Sequence, residues 1–89
     1  MFKITDRKGF HITFENGWTV SVQFGPGNYG GNYDFWSSET PNILPPSPTA
    51  EIAAWDASGK WHEFEEGDTV AGYRTPAQVL EFTNMIAGK

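Results

Sequence analysis

Apolar and polar residues alternate along two runs near the start of the chain, residues 10–14 and 18–24. Successive side chains of a strand point to opposite faces, so each run has one apolar face and one polar face. Asn16-Gly17 stands between the runs, and this dipeptide is a strong hairpin signal because both residues tolerate a positive φ. The pattern predicts a half-buried antiparallel hairpin around which the rest of the chain is organised.

A third alternating run, residues 2–5, precedes the hairpin, and residues 6–9 have the composition of a turn. The three runs therefore predict a three-stranded meander with one apolar face, and we expect its polar face to meet water directly. The predicted apolar face carries Phe2, Ile4, Phe10, Ile12, Phe14, Trp18, Val20, Val22 and Phe24. The predicted polar face carries Lys3, Thr5, His11, Thr13, Thr19, Ser21 and Gln23.

The second half of the chain predicts another hairpin and a helix. Residues 51–56 and 60–64 have the composition of a fourth and a fifth strand, paired across a turn, and 69–73 form a short further strand or an extended crossing. Thr75 is a good N-cap, Pro76 suits the first helical position, and Gly88 is the expected terminator. The helix carries a broad apolar stripe at helical spacing and is long enough to cover the apolar face of a small sheet.

These elements predict an α+β fold, in which an antiparallel sheet of about five strands packs against one C-terminal helix. A chain of 89 residues predicts a single domain, residues 1–89. Turn formers, aromatic residues and prolines fill residues 25–48, which suit neither a helix nor a central strand. We expect an irregular loop there, and a loop of that length in a compact domain is usually functional or mobile.

Composition narrows the classes of function. The net charge is −5 and the pI is about 4.7, so direct binding of nucleic acid is not expected. The chain has no cysteine, which removes a thiol nucleophile and fits a reducing compartment. We find no signal peptide and no apolar run long enough to span a membrane. Aromatic residues make up 16% of the chain, more than a small core readily absorbs, which indicates a recognition surface.

The sequence contains no pattern that specifically indicates a catalytic or metal-binding site. His11 and His62 are the only imidazoles, and both fall on the polar side of predicted strands, where ordinary surface histidines are expected. The acidic run at residues 63–68 lacks the spacing of a calcium loop and favours a solvated turn. The glycines of residues 25–31 lack the lysine and the following helix of a phosphate loop. We predict no catalytic residue, no metal and no cofactor.

The candidate binding residues lie mainly on the glycine-rich loop. Aromatic rings there offer flat contact surface that anchors protein interfaces or stacks on bases, although Phe35 and Trp36 could instead close the core. Cationic side chains would have to face the phosphates if the ligand were a nucleotide. The predicted binding residues are Tyr29, Tyr33, Trp36, Asn28 and Asn32 on the loop, with Arg7, Lys8 and Arg74 as the cations.

The segments Asn16 to Tyr29, Glu51 to Asp56 and Pro76 to Phe82 resemble small uncharacterised proteins encoded by bacteriophages and prophages. The resemblance covers most of the chain and carries no named activity. It implies an accessory phage protein that acts in the cytoplasm of the infected bacterium, where small acidic proteins of this type are often counter-defence factors.

Two functions follow as expectations. The first is a non-enzymatic binding protein that inhibits a host factor, plausibly an anti-phage defence component such as a CRISPR effector, whose basic channel an acidic inhibitor can occupy. The alternative is a sponge that sequesters a nucleotide immune signal through the Gly-rich aromatic loop. A host protein is thus the expected partner and a small nucleotide the alternative, with no membrane partner. An exposed sheet edge would also allow a homodimer.

Overall fold

The computed structural model describes residues 1–5, 8–24 and 46–89. These ranges contain five strands and one helix, which confirms the predicted α+β class with an antiparallel sheet and a C-terminal helix. The elements are β1 (Phe2–Thr5), β2 (Gly9–Thr13), β3 (Thr19–Gln23), β4 (Ala50–Trp55), β5 (Ala71–Arg74) and α1 (Pro76–Ala87).

The strands lie side by side in chain order, each antiparallel to the next. Phe10 pairs with Val22 and Ile12 pairs with Val20, so the apolar residues of β2 and β3 share one face of the sheet. The register of β1 places Phe2 opposite Ile12 on that same face. The predicted meander and its apolar face are therefore confirmed for these strands.

The turn between β2 and β3 differs from the predicted geometry. Gly17 N donates to the Phe14 carbonyl at 3.0 Å, and Phe14 N donates to the Trp18 carbonyl at 2.8 Å. Gly17 has φ +89°, whereas Asn16 is not among the residues with positive φ. This is a loop of about three residues in which only the glycine is left-handed. Asn16 keeps an ordinary backbone, and its side chain is free to reach the helix.

The predicted fifth strand at residues 60–64 is wrong. That segment makes a single bridge, between Trp55 and Trp61, and the fifth strand of the sheet is β5. The rings of His62 and Phe64 lie 5.4 and 5.0 Å from the ring of Phe82 on α1. The segment pairs only with the end of β4, where His62 N donates to the Ala54 carbonyl at 2.8 Å, and its rings then pack against the helix. Residues 71–74 pair with the start of β4.

β5 carries an irregularity at its middle. Ala50 pairs with Arg74 and Ile52 pairs with Ala71, so β5 uses one more residue than β4 over the same length. Tyr73, inside this bulge, has φ +53°, the only positive φ of a non-glycine residue in the described ranges. A bulge of this kind redirects the strand that contains it, and here it precedes the helix directly.

The core lies between α1 and the two strands that the helix contacts, β3 and β4. Thr75 is the N-cap, as predicted, and forms a capping box with Gln78, since Gln78 N donates to Thr75 Oγ1 at 3.3 Å and Thr75 N donates to Gln78 Oε1 at 2.9 Å. The buried residues of the main core cluster are Val20, Val22, Ala50, Ile52, Ala54, Ala71, Phe82 and Ile86.

The helix does not cover the whole apolar face, contrary to the prediction. Because it packs over β3 and β4, the outer strand β1 lies beyond its reach. Phe2 and Ile4 are 73% and 77% exposed, although both lie on the apolar face. The sheet therefore ends in a strand with uncovered large apolar side chains.

The polar face does not meet water throughout, which also corrects the prediction. Thr19 and Ser21 are only 8% and 7% exposed. Thr19 pairs across the sheet with Trp55, whose ring lies 4.8 Å from the ring of Trp61 and 5.0 Å from the imidazole of His11. Aromatic rings of β2, β4 and the following turn thus stand on this face, and the hydroxyls of Thr13 and Thr19 satisfy each other at 2.9 Å.

Candidate functional site

Most of the predicted binding residues lie outside the described ranges. They are Arg7, Asn28, Tyr29, Asn32, Tyr33 and Trp36, and the loop at residues 25–48 is described only from residue 46 onward. Lys8 and Arg74 are described, and both lie at the end of the sheet where the chain leaves β3 and enters β4. The roles assigned to all eight residues remain predictions.

The described surface with the clearest binding geometry is the outer edge of β1. Met1 and Thr13 exchange both backbone hydrogen bonds at 2.8 Å. In an antiparallel pair, residues that bond across the ladder alternate with residues that do not. Lys3 therefore bonds to β2 like Met1, whereas the N–H and C=O groups of Phe2 and Ile4 point away from the sheet. β1 has no neighbouring strand on that side among the described residues.

The same two residues carry the exposed apolar side chains. Phe2 also contacts Phe10 of the next strand, with ring centroids 6.3 Å apart. Phe10 and Ile12 are half-buried, so the apolar surface continues inward from the edge. Phe2 and Ile4 thus combine free backbone groups with a hydrophobic face, which is the arrangement that an added strand requires.

The opposite side of β1 is polar and carries one cation. Lys3 lies between Phe2 and Ile4 and points to the other face, where it pairs across the ladder with His11. The pKa of the His11 imidazole lies below its ordinary value of 6.5, first because of burial and then because of the nearby Lys3 charge. A segment added beside β1 would meet this positive charge on one face and the apolar side chains on the other.

Arg74 lines a cavity of about 370 Å³ between the sheet and the first half of α1. Phe10, Val22 and Phe24 form its sheet side, and Val79 lies on its helix side. Lys8 is held at this end of the sheet by the bond from Phe24 N to its carbonyl at 2.6 Å, but it is not part of the cavity wall. Of the two described cations, only Arg74 therefore lines the cavity.

The two histidines are not arranged as an acid–base pair. His11 contacts Trp55 on one face of the sheet, and His62 contacts Phe64 and Phe82 on the other. The pKa of His62 is lowered by burial and, to a lesser extent, by the charge of Lys89. These surroundings are those of packed aromatic rings.

The acidic run forms an ordered turn. Phe64 N donates to the Asp68 carbonyl at 2.8 Å, and Asp68 N donates to the Glu65 carbonyl at 2.9 Å. Phe64 packs against Phe82, which fixes the turn to the helix and leaves Glu63 and Glu66 exposed to solvent. Within residues 1–5, 8–24 and 46–89, no group of three metal-ligating side chains comes together.

The edge site could be predicted only in part. Alternation in residues 2–5 placed Phe2 and Ile4 on the apolar face, but the outer position of β1 depends on strand order and on where the helix lies. The cavity gave no sequence signal, because its walls come from four separate segments of the chain.

Comparisons of the chain with protein-family models, with curated proteins and with solved structures find no match. The resemblance to phage-encoded proteins accordingly stays a prediction. In the described part of the chain, no helix has the length and apolar character needed to cross a membrane.

Proposed function

We propose that the protein acts without catalysis, by binding a host protein through strand β1 and thereby inhibiting it. The observation that carries the proposal is the edge of β1, where Phe2 and Ile4 present both unpaired backbone groups and exposed apolar side chains. Main-chain hydrogen bonds in strand addition supply affinity, and alternate side chains supply specificity. The target follows the expectation from the sequence, a component of an anti-phage defence system.

The geometry of β1 specifies the chemistry of the partner segment. An extended segment would exchange hydrogen bonds with the backbone of Phe2 and Ile4 and would place apolar side chains on their face. Opposite-charge pairs across strands are favourable, so a carboxylate of the partner suits the position opposite Lys3. We propose a segment that alternates apolar residues with an acidic one.

A second copy of the chain fits this edge less well. The symmetric antiparallel pairing that uses both Phe2 and Ile4 places each Phe2 opposite the Ile4 of the other copy. It also places the two Lys3 side chains directly opposite each other, and like charges in that position are destabilising. Lysine on an edge strand is a common device against pairing between identical chains. This argues for a different protein as the partner.

Charge over the rest of the molecule supports a protein target. The net charge of −5 would speed the approach of a basic protein and slow that of an acidic one. Nucleic-acid-binding defence components have basic surfaces, so the overall charge and the proposed target are compatible. The long-range attraction would fall as salt is added, whereas the strand pairing would not.

The decisive variant is Ile4→Pro. The N–H of Ile4 points outward, so proline removes a donor from the free edge without breaking the ladder between β1 and β2. We expect the protein, immobilised through its C-terminus, to capture a host protein from a bacterial lysate, and Ile4→Pro to lose that capture. The captured protein should then be purified and titrated against both forms by calorimetry.

Two controls make the test specific. Met85→Ser removes another exposed apolar side chain, 47% exposed on α1, and should leave capture and calorimetric affinity unchanged. Phe2→Ser with Ile4→Ser should abolish binding and leave the melting temperature nearly unchanged, because both side chains are exposed. Equal affinity of the wild type and Ile4→Pro for the purified partner would overturn the proposal. A dimeric mass by light scattering that Ile4→Pro returns to a monomer would assign the edge to a second copy instead.

A further inference from the structure

We propose that the cavity beside Arg74 binds a small amphiphile, a monocarboxylate with an apolar body. This site is separate from the edge of β1 and does not depend on the function proposed for that edge. The ligand class is inferred from the shape of the cavity, its lining and the charge at one of its walls.

The cavity has the size and lining of a small-molecule site. Its volume of about 370 Å³ falls in the range of roughly 300 to 1,000 Å³ that is usual for such sites. Apolar side chains supply most of its surface, among them Phe10, Phe24, Val79 and Leu80. Sites of this kind bind an apolar body and orient it with a few polar groups.

Two polar atoms of the wall lack a hydrogen-bond partner, whereas the hydroxyls of Ser47 and Thr83 donate to the carbonyls of Thr49 and Val79. Among the described residues, two side-chain atoms are buried without a hydrogen-bond partner, Thr49 Oγ1 and Arg74 Nε. Both residues line this cavity, and Arg74 also lines a second cavity together with Glu65 and Glu81. An arginine is permanently charged, and a guanidinium at an apolar wall is costly until it meets an anion. A carboxylate matches the planar fork of the guanidinium and can accept two hydrogen bonds from it.

The start of α1 adds to the preference for an anion. Pro76, the first residue of the helix, lies in the cavity wall, and the first turn of the helix contains no acidic residue. The positive end of the helix dipole is therefore not compensated by a side chain of its own first turn. It reinforces the attraction that Arg74 exerts on a negative group.

The same wall disfavours a polyphosphate. Arg74 is the only cationic side chain among the described residues that line the cavity. Several phosphate charges would need further cations, and the chain already carries a net charge of −5. A single carboxylate is matched by one guanidinium, so the cavity is better suited to a monocarboxylate than to a nucleotide.

The probe is decanoate, below its micelle concentration, compared with decanol and decylamine, which have the same chain and a different head group. Binding to the native state raises the melting temperature. We expect an increase with decanoate, a smaller one with decanol and none with decylamine. In NMR spectra, decanoate should shift the backbone amides of Ala50, Arg74 and Val79, which surround the cavity, and not those of β1.

Three variants locate the binding. Arg74→Met should weaken decanoate binding by about 10-fold to 100-fold, the usual effect of losing a hydrogen bond to a charged group, and should leave decanol binding unchanged. Val79→Phe should fill the cavity and block both ligands. Lys60→Met removes an exposed cation elsewhere and should change neither.

Three results with decanoate would overturn the inference. They are a melting temperature that decanoate does not change, an affinity for decanoate that Arg74→Met leaves intact, and amide shifts confined to residues away from the cavity. A nucleotide that raises the melting temperature more than decanoate does would also overturn it, in favour of a phosphate ligand. Ile4→Pro should bind decanoate with the affinity of the wild type. A failure of the proposal for the edge of β1 can therefore be distinguished from a failure of the proposal for the cavity.

Discussion

The side chain of Asn16 joins the first hairpin to the end of the helix, since its Nδ2 donates a hydrogen bond of 2.9 Å to the carbonyl oxygen of Ile86. Further bonds reach the carbonyls of Ala87 at 3.4 Å and Lys89 at 3.2 Å, while Asn16 Oδ1 accepts from Trp18 N at 2.9 Å. The last carbonyls of a helix have no partner within the helix. Asn16 supplies one and fixes the hairpin turn against α1.

We predict that Asn16→Ala lowers the free energy of unfolding by about 1 to 2 kcal/mol, because the helix carbonyls and the Trp18 amide lose their partner together. Asn16→Asp should be worse, since a carboxylate cannot donate to the carbonyls and stands at the negative end of the helix dipole. Urea unfolding at pH 7 measures both. Asn84→Ala, an exposed asparagine of α1, is the control and should be nearly neutral.

Equal stability of Asn16→Asp and the wild type would mean that the turn and the helix end are not joined by this side chain.

The polar face of β3 gives a prediction that differs from the sequence expectation. Thr19 was expected to face water, so Thr19→Asp should have been mild. In the structure Thr19 is buried beside Trp55, so a carboxylate there would be desolvated. We predict a loss of several kcal/mol for Val20→Asp and of about 1 to 3 kcal/mol for Thr19→Asp.

Thr13→Asp is the matched control for Thr19→Asp. Thr13 is the hydrogen-bonded partner of Thr19 but is exposed, so a carboxylate there stays in water and can still accept from the Thr19 hydroxyl. Thermal unfolding should rank the three variants as Val20→Asp least stable, then Thr19→Asp, then Thr13→Asp. A Thr19→Asp protein as stable as Thr13→Asp would show that the face is open to solvent.

Gly9 is required by the close approach of β2 and β3. A Cβ at this position would overlap the carbonyl oxygen of Val22 and lie 2.9 Å from the Cα of Gln23, both in the backbone of β3. We predict that Gly9→Ala costs about 1 to 3 kcal/mol through overpacking. Gly88→Ala is the control, because its nearest contact would be an ordinary 3.5 Å, and the midpoint of urea unfolding compares the two. A neutral Gly9→Ala would contradict the register of β2 and β3.

Stability should fall as the solution becomes acidic. The folded-state pKa of His62 lies below its ordinary value of 6.5, first because of burial and then because of Lys89, and the pKa of His11 is lowered too. The unfolded chain therefore binds protons more readily, so the stabilisation is complete above pH 6.5 and is lost as the pH falls through the lower, folded-state pKa values.

Chemical unfolding at several pH values from 7 down to about 5, where carboxyl groups begin to titrate, measures this effect. His62→Phe should reduce the loss of stability, because phenylalanine does not titrate and packs against Phe64 and Phe82. Lys89→Met should raise the pKa of His62, which an NMR titration of the imidazole measures. A loss of stability that is identical in His62→Phe and the wild type would assign the effect to other groups.

The first three strands and the start of the helix could be predicted, because each depends on residues that are close together in the sequence. Alternation located the first three strands, and Thr75 followed by Pro76 located the start of the helix. The fifth strand was misplaced because residues 60–64 have the composition of a strand. In the structure the rings of His62 and Phe64 pack against Phe82 of α1, a contact that no local pattern predicts. The same holds for Asn16, whose role depends on a partner 70 residues away.

The candidate sites divide in the same way. The apolar character of Phe2 and Ile4 was predictable, but their exposure was not, because it results from the position of the helix over β3 and β4. Arg74 was predicted as a ligand-facing cation on composition alone, and the cavity beside it depends on how α1 crosses the sheet. Side-chain patterns predict faces, whereas edges and cavities depend on the arrangement of the elements.

The proposed function depends most directly on the free edge of β1, which amide hydrogen exchange measures residue by residue. In the free protein, the amides of Phe2 and Ile4 should exchange rapidly, while that of Lys3, bonded to β2, should be protected. When the purified host partner is added, Phe2 and Ile4 should become protected as well. Protection of Phe2 and Ile4 in the free protein, or their continued rapid exchange in the complex, would contradict binding through strand β1.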